Sequence, residues 1–142
     1  MCGANNTAPG TATPSQVTGD CHQNQCDGNG GVTNAIDNTD TKSDNNDCTT
    51  DTCSNGTLTY TPTAPRTVCA GGGGKVLCDG SGVCVGCLVP ADCGSDTICA
   101  TQTCNAGACG VNNTSAGTWC AGTDAGVDAG ESVCDGLGAC LP

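Results

Sequence analysis

The chain has 142 residues and a formal net charge of -11, with sixteen cysteines, one tryptophan, one tyrosine and no phenylalanine. Leu, Ile and Val together number 17, too few for an apolar core to offset the entropy of ordering the chain. Cross-links must do that work, each bridge typically contributing about 2–4 kcal/mol by restricting the unfolded ensemble. The basic residues are Lys42, Arg66 and Lys75 alone, which excludes the positive patch that nucleic acids and anionic membrane surfaces require.

Disulfides persist outside the reducing cytoplasm, so the cysteine content points to a secreted or cell-surface protein. A metallothionein-like thiolate cluster would need dense C-x-C or C-x2-C pairs, and only Cys84 and Cys87 are separated by two residues. Met1 is followed at once by Cys2, with neither a basic n-region nor an apolar h-region. An exported form is expected to have lost its leader. No stretch approaches the ~20 apolar residues of a membrane span.

In chain order, residues 1–20 read as an extended Thr/Ala/Pro/Gly connector without periodicity. Residues 21–83 form a cysteine-rich module with an acidic run, Gly31 to Asp47, in which Asp37 to Asp47 reads as a loop. Within this module Gly56 to Pro62 is the best strand candidate, its proline confining it to an edge or an end. Lys75 to Val85 predicts a hairpin about Asp79-Gly80-Ser81-Gly82, since Asp-Gly supplies the positive φ of such turns. The same C-D-G-x-G string recurs at Cys26 and Cys134. Residues 84–109 carry six cysteines and read as a junction module. Residues 110–142 read as a shortened repeat containing the Asp/Ala/Gly spacer Gly122 to Gly130.

Internal similarity supports a repeat-array segment. Cys2-Gly3-Ala4-Asn5-Asn6-Thr7 returns as Cys109-Gly110-Val111-Asn112-Asn113-Thr114, Thr67 to Gly71 returns as Thr118 to Gly122, and Leu77 to Gly80 as Val133 to Gly136. The fold class expected is therefore small, disulfide-rich and mostly irregular, with short antiparallel β-hairpins and little or no helix. Close pairs such as 21 with 26, 48 with 53 and 104 with 109 are plausible local bridges, although spacing does not fix connectivity. Repeat arithmetic leaves Cys2 and Cys140 without local partners. They are expected to pair with each other or to link successive subunits head to tail, a heterologous contact that generates rings or filaments.

Three strings carry a family resemblance: Asp44 to Cys53 (DNNDCTTDTC), Gly19 to Gly28 (GDCHQNQCDG) and Thr97 to Gly110 (TICATQTCNAGACG). They resemble the cysteine-rich repeat tracts of large secreted proteins from myxobacteria and related bacteria. The resemblance covers Cys2 to Cys109 and implies an extracellular, repetitive, structural or adhesive protein rather than an enzyme.

Among candidate sites, Asp37, Asp40, Asp44, Asp47 and Asp51 could supply the oxygens of a Ca²⁺ site. Their 3, 4, 3, 4 spacing departs from an EF-hand loop, and a solvated acidic loop is the competing reading. No other cofactor is expected. His22, between Cys21 and Cys26, lacks a second ligand set for a metal. The single His22 and single Glu131 give no nucleophile, base and orienter set, so catalysis is not expected. Asn5, Asn55 and Asn112 head N-x-Thr sequons, and Trp119 and Tyr60 read as lids over disulfides. The function expected is an extracellular structural protein, a self-associating filament, matrix or adhesin subunit that could also meet a cell-surface or matrix partner. The alternative is a secreted binding module or inhibitor presenting acidic loops.

Overall fold

The computed structural model describes residues 2–3, 7–120 and 132–142. The spacer Gly122 to Gly130, Glu131 and the sequon residues Asn5 and Asn6 lie outside the described residues. The described residues form short antiparallel sheets and one single-turn 3-10 helix, Pro90–Cys93. The chain divides into two compact units, Met1–Ala64 with Gly80–Gly82 and Pro65–Asp79 with Val83–Pro142.

In the first unit β1 (His22–Cys26) pairs with β2 (Val32–Ile36), and β3 (Thr49–Ser54) pairs with β4 (Thr57–Pro62). The strand expected at Gly56 to Pro62 is β4, with Pro62 at its end. Its hairpin closes on Asn55 and Gly56, at φ 49° and 75°, the two consecutive positive values that a two-residue turn matching the strand twist demands. Thr-rich strands suit this sheet: branched side chains are already restricted at χ1, and the hydroxyls of Thr52 and Thr59 meet across it at 2.9 Å.

In the second unit β5 (Val68–Gly72), β6 (Lys75–Cys78) and β7 (Cys84–Val85) form one sheet. The hairpin β8 (Ala100–Asn105) with β9 (Ala108–Asn113) forms another, and β10 (Val133–Cys134) with β11 (Cys140–Leu141) a third. Ala106 and Gly107 close the β8–β9 hairpin at φ 49° and 77°.

The C-D-G-x-G string has a specific physical role. In the β10–β11 turn, Asp135 Oδ1 accepts from the amides of Leu137 (2.7 Å) and Ala139 (3.0 Å), while Asp135 N donates to Ala139 O at 3.0 Å. Asp27 Oδ1 does the same for Asn29 and Gly31, at 2.7 and 2.9 Å. In the β6–β7 turn Asp79 Oδ1 accepts from Val83 N at 3.1 Å. Both glycines of each string have positive φ, for example Gly136 at 79° and Gly138 at 104°. A carboxylate thus gathers the turn amides that the glycines allow to converge.

The core is sulfur. The buried apolar side chains among the described residues are ten cysteines and Ala100. Large apolar residues stay outside, and Trp119 and Tyr60 are 66% and 43% exposed, so neither is a lid. Among the described residues, no helix is long and apolar enough to cross a membrane.

Within residues 1–20, Ala12 forms an antiparallel bridge with Gln25. Asp37 to Asp47, expected as a loop, runs between β2 and β3. Two expectations are corrected. The close cysteine pairs are not bonded: Cys21 pairs with Cys53, Cys26 with Cys2, Cys104 with Cys87 and Cys109 with Cys93. Cys21 with Cys26, and Cys48 with Cys53, lie along extended chain, where five residues span about 16 Å. A disulfide needs Cα atoms within about 7 Å. Finally, Cys2 is bonded to Cys26 and Cys140 to Cys120, so neither is left over for the other or for a second chain. Repeat arithmetic failed there because it carried over strand position but not the partner across the fold.

Candidate functional site: two sulfur quartets and an acidic run

All sixteen cysteines are in disulfides, Cys48 and Cys78 included. In the second unit four of the bridges form two closely packed pairs. Cys87–Cys104 and Cys93–Cys109 tie the segment around the 3-10 turn to the two strands of the β8–β9 hairpin. The Sγ atoms of Cys87, Cys93 and Cys109 lie within 4.8 Å of one another. Cys99–Cys134 and Cys120–Cys140 repeat this arrangement, with the Sγ atoms of Cys99, Cys120 and Cys134 equally close. Each quartet has one exposed cysteine: in the first Cys87 is fully buried and Cys109 exposed, and in the second Cys99, Cys120 and Cys134 are buried and Cys140 exposed.

Each quartet also contains two cysteines directly opposite each other on paired strands, Cys104 with Cys109 and Cys134 with Cys140. Neither opposed pair is bonded to itself. Each cysteine reaches instead to a segment outside its own hairpin, so the bridges connect elements rather than reinforce them. As disulfides these sulfurs carry no thiolate charge, and a soft metal would find no ligands among them.

The segment 87–93 is held by further contacts. Asp92 Oδ2 accepts from the amides of Leu88 (2.7 Å) and Val89 (3.0 Å), and its Oδ1 receives Arg66 Nη1 at 2.7 Å. These amide bonds first, then Arg66, hold the Asp92 carboxyl below the usual aspartate range. Gly86 N donates to Gly107 O at 2.7 Å, which seats the β8–β9 turn against Val85.

The acidic run is dispersed over separate turns. Asp37 Oδ1 accepts from the hydroxyl and the amide of Thr39, bonds that lower its pKa. Asp40 Oδ2 accepts from Gly19 N and Asp20 N. Asp44 binds Asn46 N and the Thr49 hydroxyl, and Asp44 N donates to Asp51 Oδ2 at 3.3 Å. Asp51 Oδ1 is buried without a hydrogen-bond partner, and Asp47 lies in the turn leading into β3. Asp44 and Asp51 are thus brought together by a bond, as are Asp37 and Asp40, where Asp40 N donates to Asp37 O at 3.1 Å. Among the described residues, the groups of three ligand-bearing side chains with atoms within 4.8 Å are all cysteines.

His22 is used in packing. Its Nδ1 lies 2.8 Å from Asp20 O, which places the ring proton on that nitrogen. Its Nε2 stands 2.7 Å from where a Cβ on Gly56 would be, so the ring seats the β3–β4 turn. Sequence reasoning passed over the quartets themselves. The Ala106-Gly107 turn and the C-D-G-x-G string at Cys134, each of which places two cysteines opposite each other, were the available signal.

The fold defines a disulfide-scaffold protein of short antiparallel sheets. The chain matches no protein-family model, no curated protein sequence and no solved structure.

Proposed function

We propose that the chain is a structural segment of an extracellular protein, in which disulfides replace an apolar core so that small sheets stay folded without one. The observation that supports this reading is the route of the bridges. Cys21–Cys53 joins β3 to the residue preceding β1, Cys87–Cys104 and Cys93–Cys109 join the 3-10 segment to β8–β9, and Cys99–Cys134 joins the start of β8 to β10. Such links carry load across elements and resist heat and proteolysis, which suits a filament, matrix or adhesin repeat in an oxidising compartment. The resemblance to secreted cysteine-rich tracts points the same way. Assembly in this reading is non-covalent, since Cys2 and Cys140 are engaged within the chain.

The test is light scattering and electron microscopy of the native protein over a range of concentrations, with electrophoresis with and without reductant. Ordered, reductant-independent polymers support the reading. A discrete monomer at every concentration would move the assignment to a secreted binding module presenting the acidic turns between Asp37 and Asp51.

A further inference from the structure

We infer that Cys87, Cys93, Cys104 and Cys109 form a thiol-exchange site that switches between two disulfide pairings, with a low-molecular-weight thiolate as co-reactant. The observed pairing is Cys87–Cys104 with Cys93–Cys109. The second pairing is Cys87–Cys93 with Cys104–Cys109.

Geometry supports both bonds of the second pairing. Cys87 Sγ and Cys93 Sγ are within 4.8 Å of each other although each is bonded elsewhere. Cys104 and Cys109 are Cα partners across the β8–β9 ladder. The two-residue turn makes Asn105 and Ala108 the closing hydrogen-bonded pair, so the next pair out is non-hydrogen-bonded, where Cα atoms stand about 4.5 Å apart. That separation is within the range a disulfide spans. Neither new bond calls for movement of the ladder.

The exposed sulfur decides where the reaction starts. Cys109 is exposed, Cys93 half-buried and Cys87 fully buried, so a thiolate attacks Cys109 Sγ. A mixed disulfide forms at Cys109 and Cys93 leaves as thiolate. Cys93 then attacks Cys87 Sγ, breaking Cys87–Cys104 and releasing Cys104 as thiolate. Cys104 attacks Cys109 Sγ, closing Cys104–Cys109 and expelling the external thiolate. Three exchanges leave two disulfides and the same thiolate, with no net oxidation or reduction.

The consequence is conformational. In the first pairing both bridges bind the segment 87–93 to the hairpin. In the second both bridges are internal to one element, and only non-covalent contacts such as Gly86 N to Gly107 O remain. The quartet of Cys99, Cys120, Cys134 and Cys140 shares the two bridges and the opposed cysteine pair but has three buried cysteines, with Cys140 exposed.

The experiment incubates the native oxidised chain with reduced glutathione at mildly alkaline pH, quenches with acid and alkylating agent, and maps peptides without reduction. The expected result is joint appearance, in equal amounts, of the Cys87–Cys93 and Cys104–Cys109 peptides in a species of unchanged intact mass. In a C93S/C109S variant the Cys87–Cys104 bond should lose its sensitivity to glutathione, because its attack route is gone. Absence of exchange, arrest at mixed disulfides with Cys87–Cys104 intact, or scrambling to cysteines outside the quartet would each overturn the inference. Equal sensitivity of Cys87–Cys104 in the variant would overturn it too, and the wild-type map decides if the variant does not fold.

Discussion

Gly107 offers the sharpest test of how the second unit is held. Its φ of +77° is in the left-handed region, and an added Cβ would stand 2.7 Å from Val85 Cγ1 and 2.9 Å from Val85 Cβ. A rotamer change can move Cγ1 away, but Cβ moves only with the β7 backbone. Gly107→Ala therefore combines a left-handed alanine, costing roughly 1–2 kcal/mol, with an overpacking cost of roughly 1–3 kcal/mol. Restricting the unfolded chain offsets about 0.4–1 kcal/mol of this, leaving a loss of roughly 1–4.6 kcal/mol. Gly74→Ala is the matched control: its φ is +82° with nothing within 4 Å, so only the backbone cost applies, a net loss of roughly 0–1.6 kcal/mol, smaller by the overpacking cost. Denaturant unfolding of the two oxidised variants measures the difference, and hydrogen exchange of the Gly86 amide, which donates to Gly107 O, localises it. If Gly107→Ala is no more destabilising than Gly74→Ala, the packing of the β8–β9 turn on Val85 is refuted.

Opening Cys93–Cys109 by C93S/C109S should cost about 3 kcal/mol, from the loop-closure entropy of a sequence separation of 16; calorimetry showing no loss would mean that this bridge adds nothing to the others. Non-reducing peptide maps should contain Cys2 joined to Cys26 and Cys120 joined to Cys140, and either cysteine in an intermolecular bridge would contradict the chain pairing. Folded-state pKa values are depressed at Asp37, Asp92 and Asp135, so their contribution is complete above the unfolded aspartate value near pH 4 and is lost as pH falls through the lower folded values. Carboxyl titration by NMR should place all three below Asp residues in the unfolded chain, and an ordinary midpoint for Asp92 would rule out its bonds to Leu88 and Val89. Because the acidic run is dispersed over separate turns, calcium should raise the melting temperature no more than magnesium does; a calcium-specific rise abolished by D44N/D51N would show a dedicated site.

The strands that could be read beforehand are those whose turns announce themselves locally. Asp79-Gly80 and Asp135-Gly136 marked hairpins because a carboxylate and two glycines determine a turn within five residues, and Thr57 to Tyr60 marked β4 because branched and aromatic residues alternate there. The turn of the β1–β2 hairpin was marked by the same Asp-Gly string at Asp27, but the strands flanking it were not. Its strands HQNQC and VTNAI have no apolar alternation, being held by ladder bonds and by the bridges of Cys21 and Cys26 rather than by a buried face. The Ca²⁺ candidates looked like a set because they are near in sequence, whereas their carboxylates are engaged in different places: Asp37 on its own turn, Asp40 on the amides of Gly19 and Asp20, and Asp51 on the amide of Asp44.

Sequence by itself determined the class of this protein. Sixteen cysteines beside so little apolar surface leave cross-linking as the means of folding, and fourteen acidic residues against three basic ones make the chain strongly acidic. Which cysteine meets which was decided only in three dimensions. A disulfide depends on Cα separation and side-chain direction, and strands that place residues five apart at opposite ends of an extended run bring residues 17 or 35 apart in sequence into bonding distance. The sulfur quartets follow from that folding, and their opposed, unbonded cysteine pairs exist only once the hairpins have closed.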